Sequence, residues 1–336
     1  MKASDITYYL CGGTGINIGL ALKAGSRTPQ NKEATFIGLD TSDANSSSDL
    51  FEIERLKVPG SDNSDVVNTV RGSGKKRDAH YEISIPFVAQ VMARRKPGSY
   101  AVVVTSDAGG TGPTLATQVL RHLIKQDIPA ILVVVSDHTS TIEMSNSTGV
   151  LRGFANQTKA ELLNAPIAFI QAKNTPDQTR GEVNQHLVER LDLLSLFLTE
   201  NNGEMDYADF RNFVFYSRVS KIPPAFSEIR FYDQDSYKLH EGKIPVAVAS
   251  LFDSSDNVIP VFEGTTYRTT GVFAEGVTKP KGMTQLHMVL DHGEALMKLE
   301  KQITKLDDHK AEQANVFVKQ KDLGGDSNAD GMCFDS

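Results

Sequence analysis

The stretch DAGGTGPTLATQVLRHLI, residues 107–124, follows the apolar run SYAVVVTS and places Gly109, Gly110 and Gly112 where a strand must turn into a helix. Glycine removes side chains where the backbone turns, and the fixed φ of Pro113 suits the first turn of a helix. Such a turn leaves N–H groups pointing outward from a helix N-terminus that carries about half a positive elementary charge. Strand, glycine turn and helix together therefore form an anion site suited to phosphate. A second turn of this kind, CGGTGIN at 11–17, follows another strand, and RGSGKKR at 71–77 sets two further glycines beside cations. One glycine turn serves the pyrophosphate of a dinucleotide, whereas three separate turns suggest a triphosphate wrapped from several sides. No GxxxxGK[ST] occurs, which excludes a P-loop enzyme. Two alternatives stay open. RGSGKKR is also what a solvated basic loop looks like, and Gly13, Gly15 and Gly19, spaced as GxGxxxG with Asp40 after the next strand, could serve a soluble NAD(P)-dependent oxidoreductase with a Rossmann domain.

A second chemistry-bearing stretch, NNGEMDYADFRNFV, places Asp206 and Asp209 three residues apart ahead of a helical run. An N-cap acid with another acid in the first turn is ordinary helix-start chemistry. Two carboxylates on an exposed loop can equally polarise water or hold a cation against a phosphate. They follow a long helical stretch, TRGEVNQHLVERLDLLSLFLTENNG, and about 20 helical residues span roughly 30 Å. The pair therefore cannot readily reach the glycine turns of its own molecule, a separation that is a problem for a monomer and a clue to a polymer.

The elements that must position these residues are legible from hydrophobic patterning. ITYYLC at 6–11, ATFIGLD at 34–40, YAVVVTS at 100–106, AILVVVS at 130–136 and PIAFIQA at 166–172 are apolar on both faces, as strands of a helix-covered parallel sheet are. With helical stretches such as TLATQVLRHLIKQ and GVLRGFANQTKAELLN between them, they define an α/β fold: a doubly wound, mostly parallel, Rossmann-like sheet over residues 1–178. A long central helix is expected at 179–203, closed by Gly203 as a left-handed cap. Its second half is apolar nearly all round, which places it between two domains. Residues 204–291 read as a loop, a helix and a smaller α+β second domain whose runs IPVAVASLFD, TTYRTTGVFAE and TQLHMVLDH look antiparallel. A C-terminal helix at 292–315 carries Leu296, Leu299, Ile303 and Leu306 on one stripe, and 316–336 reads as a flexible acidic tail.

The net charge of −7 argues against direct nucleic-acid binding. Cys11 and Cys333 form no metal or disulfide pattern, and no stretch reaches the about 18 apolar residues of a membrane span. A cytoplasmic protein without a membrane role is expected.

AGGTGPT at 108–114 is similar to the tubulin/FtsZ signature GGGTG[ST]G, and MDYADFR at 205–211 is similar to the FtsZ-type loop that follows the central helix. RGSGKKR is similar to the RGxGxxR segment of phage-encoded tubulins of the PhuZ type, and ADGMCFDS is similar to their acidic C-terminus. The resemblance covers most of the chain, and it implies a GTPase that polymerises head to tail into filaments positioning phage DNA in the cytoplasm of an infected bacterium. It further implies GTP and GDP as ligands with Mg2+ as the accompanying ion. Carried over residue by residue, Gly12, Gly13, Thr14, Gly15 and Asn17 form the first phosphate loop, Gly72, Ser73 and Gly74 a further loop, and Gly109, Gly110, Thr111 and Gly112 the signature loop. Asn184 reads the guanine edge with Asn174 near the base, Asp206 and Asp209 act on the neighbour's γ-phosphate, and the acidic tail docks on an adjacent subunit. Ala108 and Pro113 depart from the signature, leaving Thr114 as the next hydroxyl.

Overall fold

Strands buried on both faces and joined through helices form one twisted sheet here, in a computed structural model that describes residues 5–42, 49–56, 81–137, 141–175, 177–198, 201–239, 244–292, 301 and 304. The elements of the first half run β1 (Ile6–Cys11), α1 (Gly12–Gly25), α2 (Pro29–Glu33), β2 (Thr35–Asp40), β3 (Glu52–Arg55), α3 (Tyr81–Arg94), β4 (Tyr100–Ser106), α4 (Thr111–Lys125), β5 (Ala130–Asp137), α5 (Thr141–Gln157) and β6 (Ile167–Asn174). There follow α6 (Arg180–Leu196), α7 (Tyr207–Val214), β7 (Phe226–Asp233), β8 (Ala247–Phe252), β9 (Tyr267–Val272) and β10 (Gln285–His292). Residues 71–77, most of the expected C-terminal helix and the acidic tail lie outside the described residues.

The first six strands are all parallel and lie in the order β3-β2-β1-β4-β5-β6. β1 is buried at every residue and β4 at all but its last, as a strand covered on both faces must be. The chain winds one way from β1 to β2 and the other way to β4, so the topological switch lies between β1 and β4. Ligands of open α/β sheets bind outside the carboxyl ends of the strands at that point. Dinucleotide-binding sheets share this strand order, so topology alone does not separate the two functional readings.

The second half does not form a sheet of its own. β7 pairs in parallel with β6 through Ile167–Phe226, Ala168–Ser227 and Phe169–Glu228, which extends one sheet to ten strands. The stacked rings of Phe169 and Phe226, with centroids 3.9 Å apart, seal that junction. β10 is antiparallel to both β7 and β8, but β9 runs parallel to β8, correcting the expectation that all these runs are antiparallel. β3 and β7 carry charged residues in alternation and are missing from the apolar runs.

The central helix is also shorter than expected. A capping box starts it: Thr179 Oγ1 accepts from the Glu182 N–H at 3.2 Å, and Glu182 accepts from the Thr179 N–H at 2.8 Å. The helix ends at Leu196, and Gly203 is not among the left-handed glycines. Asn201 and Asn202 close the following turn instead, their side-chain amides donating to the carbonyls of Ser195 and Leu198. The apolar second half of α6 is buried beside α1 and α2, and Phe197 at its end reaches Phe231 of β7.

Candidate functional site

Two helix N-termini meet at the carboxyl ends of β1 and β4, and the glycines there are required by how closely the backbones approach. Gly12 opens α1 at φ +73, and a Cβ on it would lie 3.0 Å from the Cα of Gly112. A Cβ on Gly112 would lie 2.7 Å from the carbonyl oxygen of Cys11, and one on Gly15 would lie 2.6 Å from that of Val104. Neither α1 nor α4 has an acid in its first turn, so both positive helix ends remain available to an anion. Pro113 is the third residue of α4, within the turn whose N–H groups lack helical partners, so it costs the helix no bond.

Beside these termini lies an open cleft of about 210 Å³. Of the residues expected to bind nucleotide, it brings together Thr14, Asn17, Gly109, Asn174 and Asn184. Gly12, Gly15 and Gly112 lie beneath it as the packing contacts just described. Gly13 sits in the first turn of α1, and Gly110 caps α4. The hydroxyl of Thr111 is bonded to that of Thr41 at 2.9 Å. Thr114, the next hydroxyl, is buried and donates to the Gly110 carbonyl at 3.0 Å. Gly72, Ser73 and Gly74 fall outside the described residues.

Sequence reasoning missed Asp137, Glu143 and Arg180, which also line the cleft. Arg180 stands four residues before Asn184 and so shares its face of α6, a signal available once that helix start is recognised. Asp137 ends β5, and Glu143 lies in the first turn of α5. Asp107, also missed, starts the signature loop and is fully buried. It accepts from Ser147 Oγ at 2.6 Å and from Ser136 Oγ, and Gln171 donates to Ser136 at 2.7 Å. Burial pushes its carboxyl up to about 6, against the opposing pull of the two serines. Asp40, the acid that a dinucleotide would place on its ribose, is buried and accepts from the Thr41 N–H at 2.7 Å.

Asp206 and Asp209 are not at this cleft. They form a reciprocal capping box on α7: Asp206 accepts from the Asp209 N–H at 3.0 Å, and Asp209 accepts from the Asp206 N–H at 3.2 Å. Tyr267 donates to the Asp209 carboxylate at 3.4 Å. α7 packs against the start of β4, where Tyr100 meets Tyr207 and Phe210 with ring centroids 5.5 and 5.2 Å away. Ser106, at the other end of the same strand, lines the cleft. Seven strand residues span about 20 Å, so the carboxylates and the cleft occupy opposite ends of the sheet. Among the described residues no cluster of three or more His, Cys, Asp or Glu side chains is placed to hold a metal ion, and no helix is long and apolar enough to cross a membrane.

No family model matches the chain. It is 24% identical over 269 residues to a phage tubulin-like protein of Pseudomonas phage phiKZ, covering 79% of each chain. Its fold matches a subunit of the TubZ protofilament from bacteriophage PhiKZ with a TM-score of 0.75 at 20% identity, covering 98% of this chain and 96% of that one. The GDP complex of the phage tubulin PhuZ matches with a TM-score of 0.76 at 18% identity and the same coverage.

Proposed function

From the premise that this chain is a tubulin/FtsZ-superfamily protein of the phage-tubulin type, we propose that it binds GTP in the cleft between α1, α4 and α6 and hydrolyses it within a head-to-tail filament. Asp206 and Asp209 of one subunit complete the cleft of the next. The observation that carries this reading is the placement of cleft and carboxylates at opposite ends of β4, where stacking subunits along that direction brings one beside the other. The similarity to a protofilament subunit and to a GDP complex supports self-association and guanine-nucleotide binding. The cleft suits the anion: the acid-free N-termini of α1 and α4 face it, Arg180 lines it, and Gly12, Gly15 and Gly112 let the backbones meet beneath it. Mg2+ would accompany the nucleotide, bound through phosphate oxygens and water, and would neutralise charge on the phosphates. The capping bonds use one oxygen of each carboxylate and Tyr267 donates to the other oxygen of Asp209, but a carboxylate oxygen accepts more than one bond, so capping and an action on a neighbour's nucleotide are compatible.

GTP, and neither GDP nor NAD, should raise light scattering of the purified protein. Asp206→Ala should still assemble but release phosphate slowly, and small amounts mixed into wild-type should lengthen filament lifetime. Wild-type turnover in this variant would end the assignment of the carboxylates. We further propose that the filaments position phage DNA in an infected bacterium and that the acidic tail strengthens assembly by docking on the adjacent subunit. Removing residues 322–336 should then raise the critical concentration about tenfold without altering GTP affinity.

A further inference from the structure

α4 ends in a Schellman turn, with the Ile128 N–H donating to the Leu123 carbonyl and the Asp127 N–H to the Ile124 carbonyl, both at 3.1 Å. The residue at the left-handed position of this turn is Asp127, at φ +64. Two local rules oppose an aspartate there. Glycine normally fills the position because a Cβ is strained at positive φ, and negative charge at a helix C-terminus opposes the macrodipole. A residue that breaks local rules points to a compensating interaction elsewhere in the fold. Here the two carboxylate oxygens pair with Arg211 on α7 and with Arg218 in the following 3-10 turn. The Arg218 guanidinium also lies 4.3 Å from the ring centroid of the buried Phe215. The Tyr100 rings hold α7 against β4, but edge contacts between rings tolerate sliding and rotation. The charge-assisted hydrogen bond from Arg211 to Asp127 adds a directional constraint, and Arg218 stands against the other carboxylate oxygen as an ion pair.

We propose that Asp127 is a positioning residue for hydrolysis. Through Arg211 and Arg218 it sets where α7 presents Asp206 and Asp209, and it anchors them to the helix whose first turn is the signature loop of the same subunit. The role rests on the reading that these carboxylates act on a neighbour's nucleotide. It adds that the end of the subunit that donates the carboxylates is indexed to the element that starts at its own cleft.

Asp127→Gly and Asp127→Asn test this in the full chain, with Asp206→Ala as reference. Glycine relieves the strained φ and the unfavourable charge, so a residue that only ended α4 would be improved by it, whereas asparagine tolerates the same φ and removes only the charge. Both variants should bind GTP within twofold of wild-type and still pellet as polymer. Phosphate release per polymerised subunit should fall about tenfold, the scale of a small misplacement of a reacting group. Hydrogen exchange across residues 205–214 should quicken. Arg211→Gln should reproduce the loss and add little to it in combination with Asp127→Asn. Turnover within twofold of wild-type in both Asp127 variants, while Asp206→Ala slows it, overturns the proposal. If Asp206→Ala itself turns over normally, the underlying reading fails and exchange decides the anchor: wild-type exchange at 205–214 removes it, and faster exchange upholds it.

Discussion

The two ends of β4 solve different problems with equally ordinary chemistry. At the cleft end, Gly12, Gly15 and Gly112 are dictated by backbones in contact, and a side chain on any of them meets a main-chain atom at 3.0 Å or less. At the α7 end, Asp206 and Asp209 are explained by capping, with each carboxylate answering the other's N–H. Both ends have complete structural reasons for their residues. At the cleft end the reason is inseparable from the fold, because the glycine turns at the cleft are also the packing contacts. At the α7 end the cap can be removed at modest cost, so structure and chemistry can be measured apart.

The sharpest break in this comparison is Gly15→Ala. Its Cβ would meet the Val104 carbonyl oxygen and the Leu10 main chain with no flexible neighbour to yield. Overpacking of this kind costs about 1–3 kcal/mol and can cost more against rigid backbone. The variant should lose GTP binding together with thermal stability. Gly203→Ala, where nothing lies within 4 Å of the added Cβ, serves as the control and should change stability by no more than about 0.5 kcal/mol.

Next in size is the dependence of folding on pH, where the two halves of the sheet carry opposite signs. His287 on β10 is buried, and burial lowers its folded pKa from 6.5 to about 4, with Arg268 adding to the shift and Asp233 opposing it. The unfolded chain therefore takes up the proton first on acidification. The stability tied to a neutral His287 is present above pH 6.5 and is lost as pH falls toward 4, by about 3 kcal/mol. Asp107 at the cleft end has its folded pKa raised to about 6, so the folded state holds its proton longer and stability declines as pH rises from about 4 through 6. Urea unfolding between pH 4 and 7 should show His287→Leu flattening the acid-side loss and Asp107→Asn flattening the opposing trend. Identical slopes in wild-type and variants would refute both assignments.

Asn184→Leu should weaken GTP by about 10- to 100-fold, the consequence of leaving a purine edge without its paired amide, while shifting the melting temperature little because Asn184 is only half-buried. Equal binding of GTP and ATP by the wild-type protein would refute the guanine assignment. The smallest effect belongs to the cap: Asp206→Ala should cost about 1 kcal/mol of stability and leave GTP affinity untouched. A loss of affinity comparable to that of Gly15→Ala would erase the distinction between the two ends.

Much of this architecture was legible before any coordinates. Strands apolar on both faces announce themselves, and β1 and β4 occupy the stretches read from their residues alone. The glycine turns were visible because they interrupt such runs, and the Asp206–Asp209 spacing carried both of its readings openly. Strands with alternating charge, β3 and β7, were not legible, since their burial depends on neighbours far away in the chain. Nor were Asp137, Glu143 and Arg180, which reach the cleft from three separate elements. The end of α6 was misplaced because the glycine stop signal, Gly203, lies past a turn that asparagine side chains close after Leu196.

Local sequence by itself determined the strands that are apolar on both faces, and that glycine turns lead from β1 and β4 into helices, because each follows from short-range sterics and from periodic burial along a few residues. Only the tertiary structure decided that the second half joins the same sheet through three residue pairs, that Gly12 and Gly112 touch, and that an aspartate at a strained helix end pairs with Arg211 of α7 and with Arg218 of the 3-10 turn after it. Those facts depend on how distant segments close on one another, and no local pattern encodes the geometry of that closure.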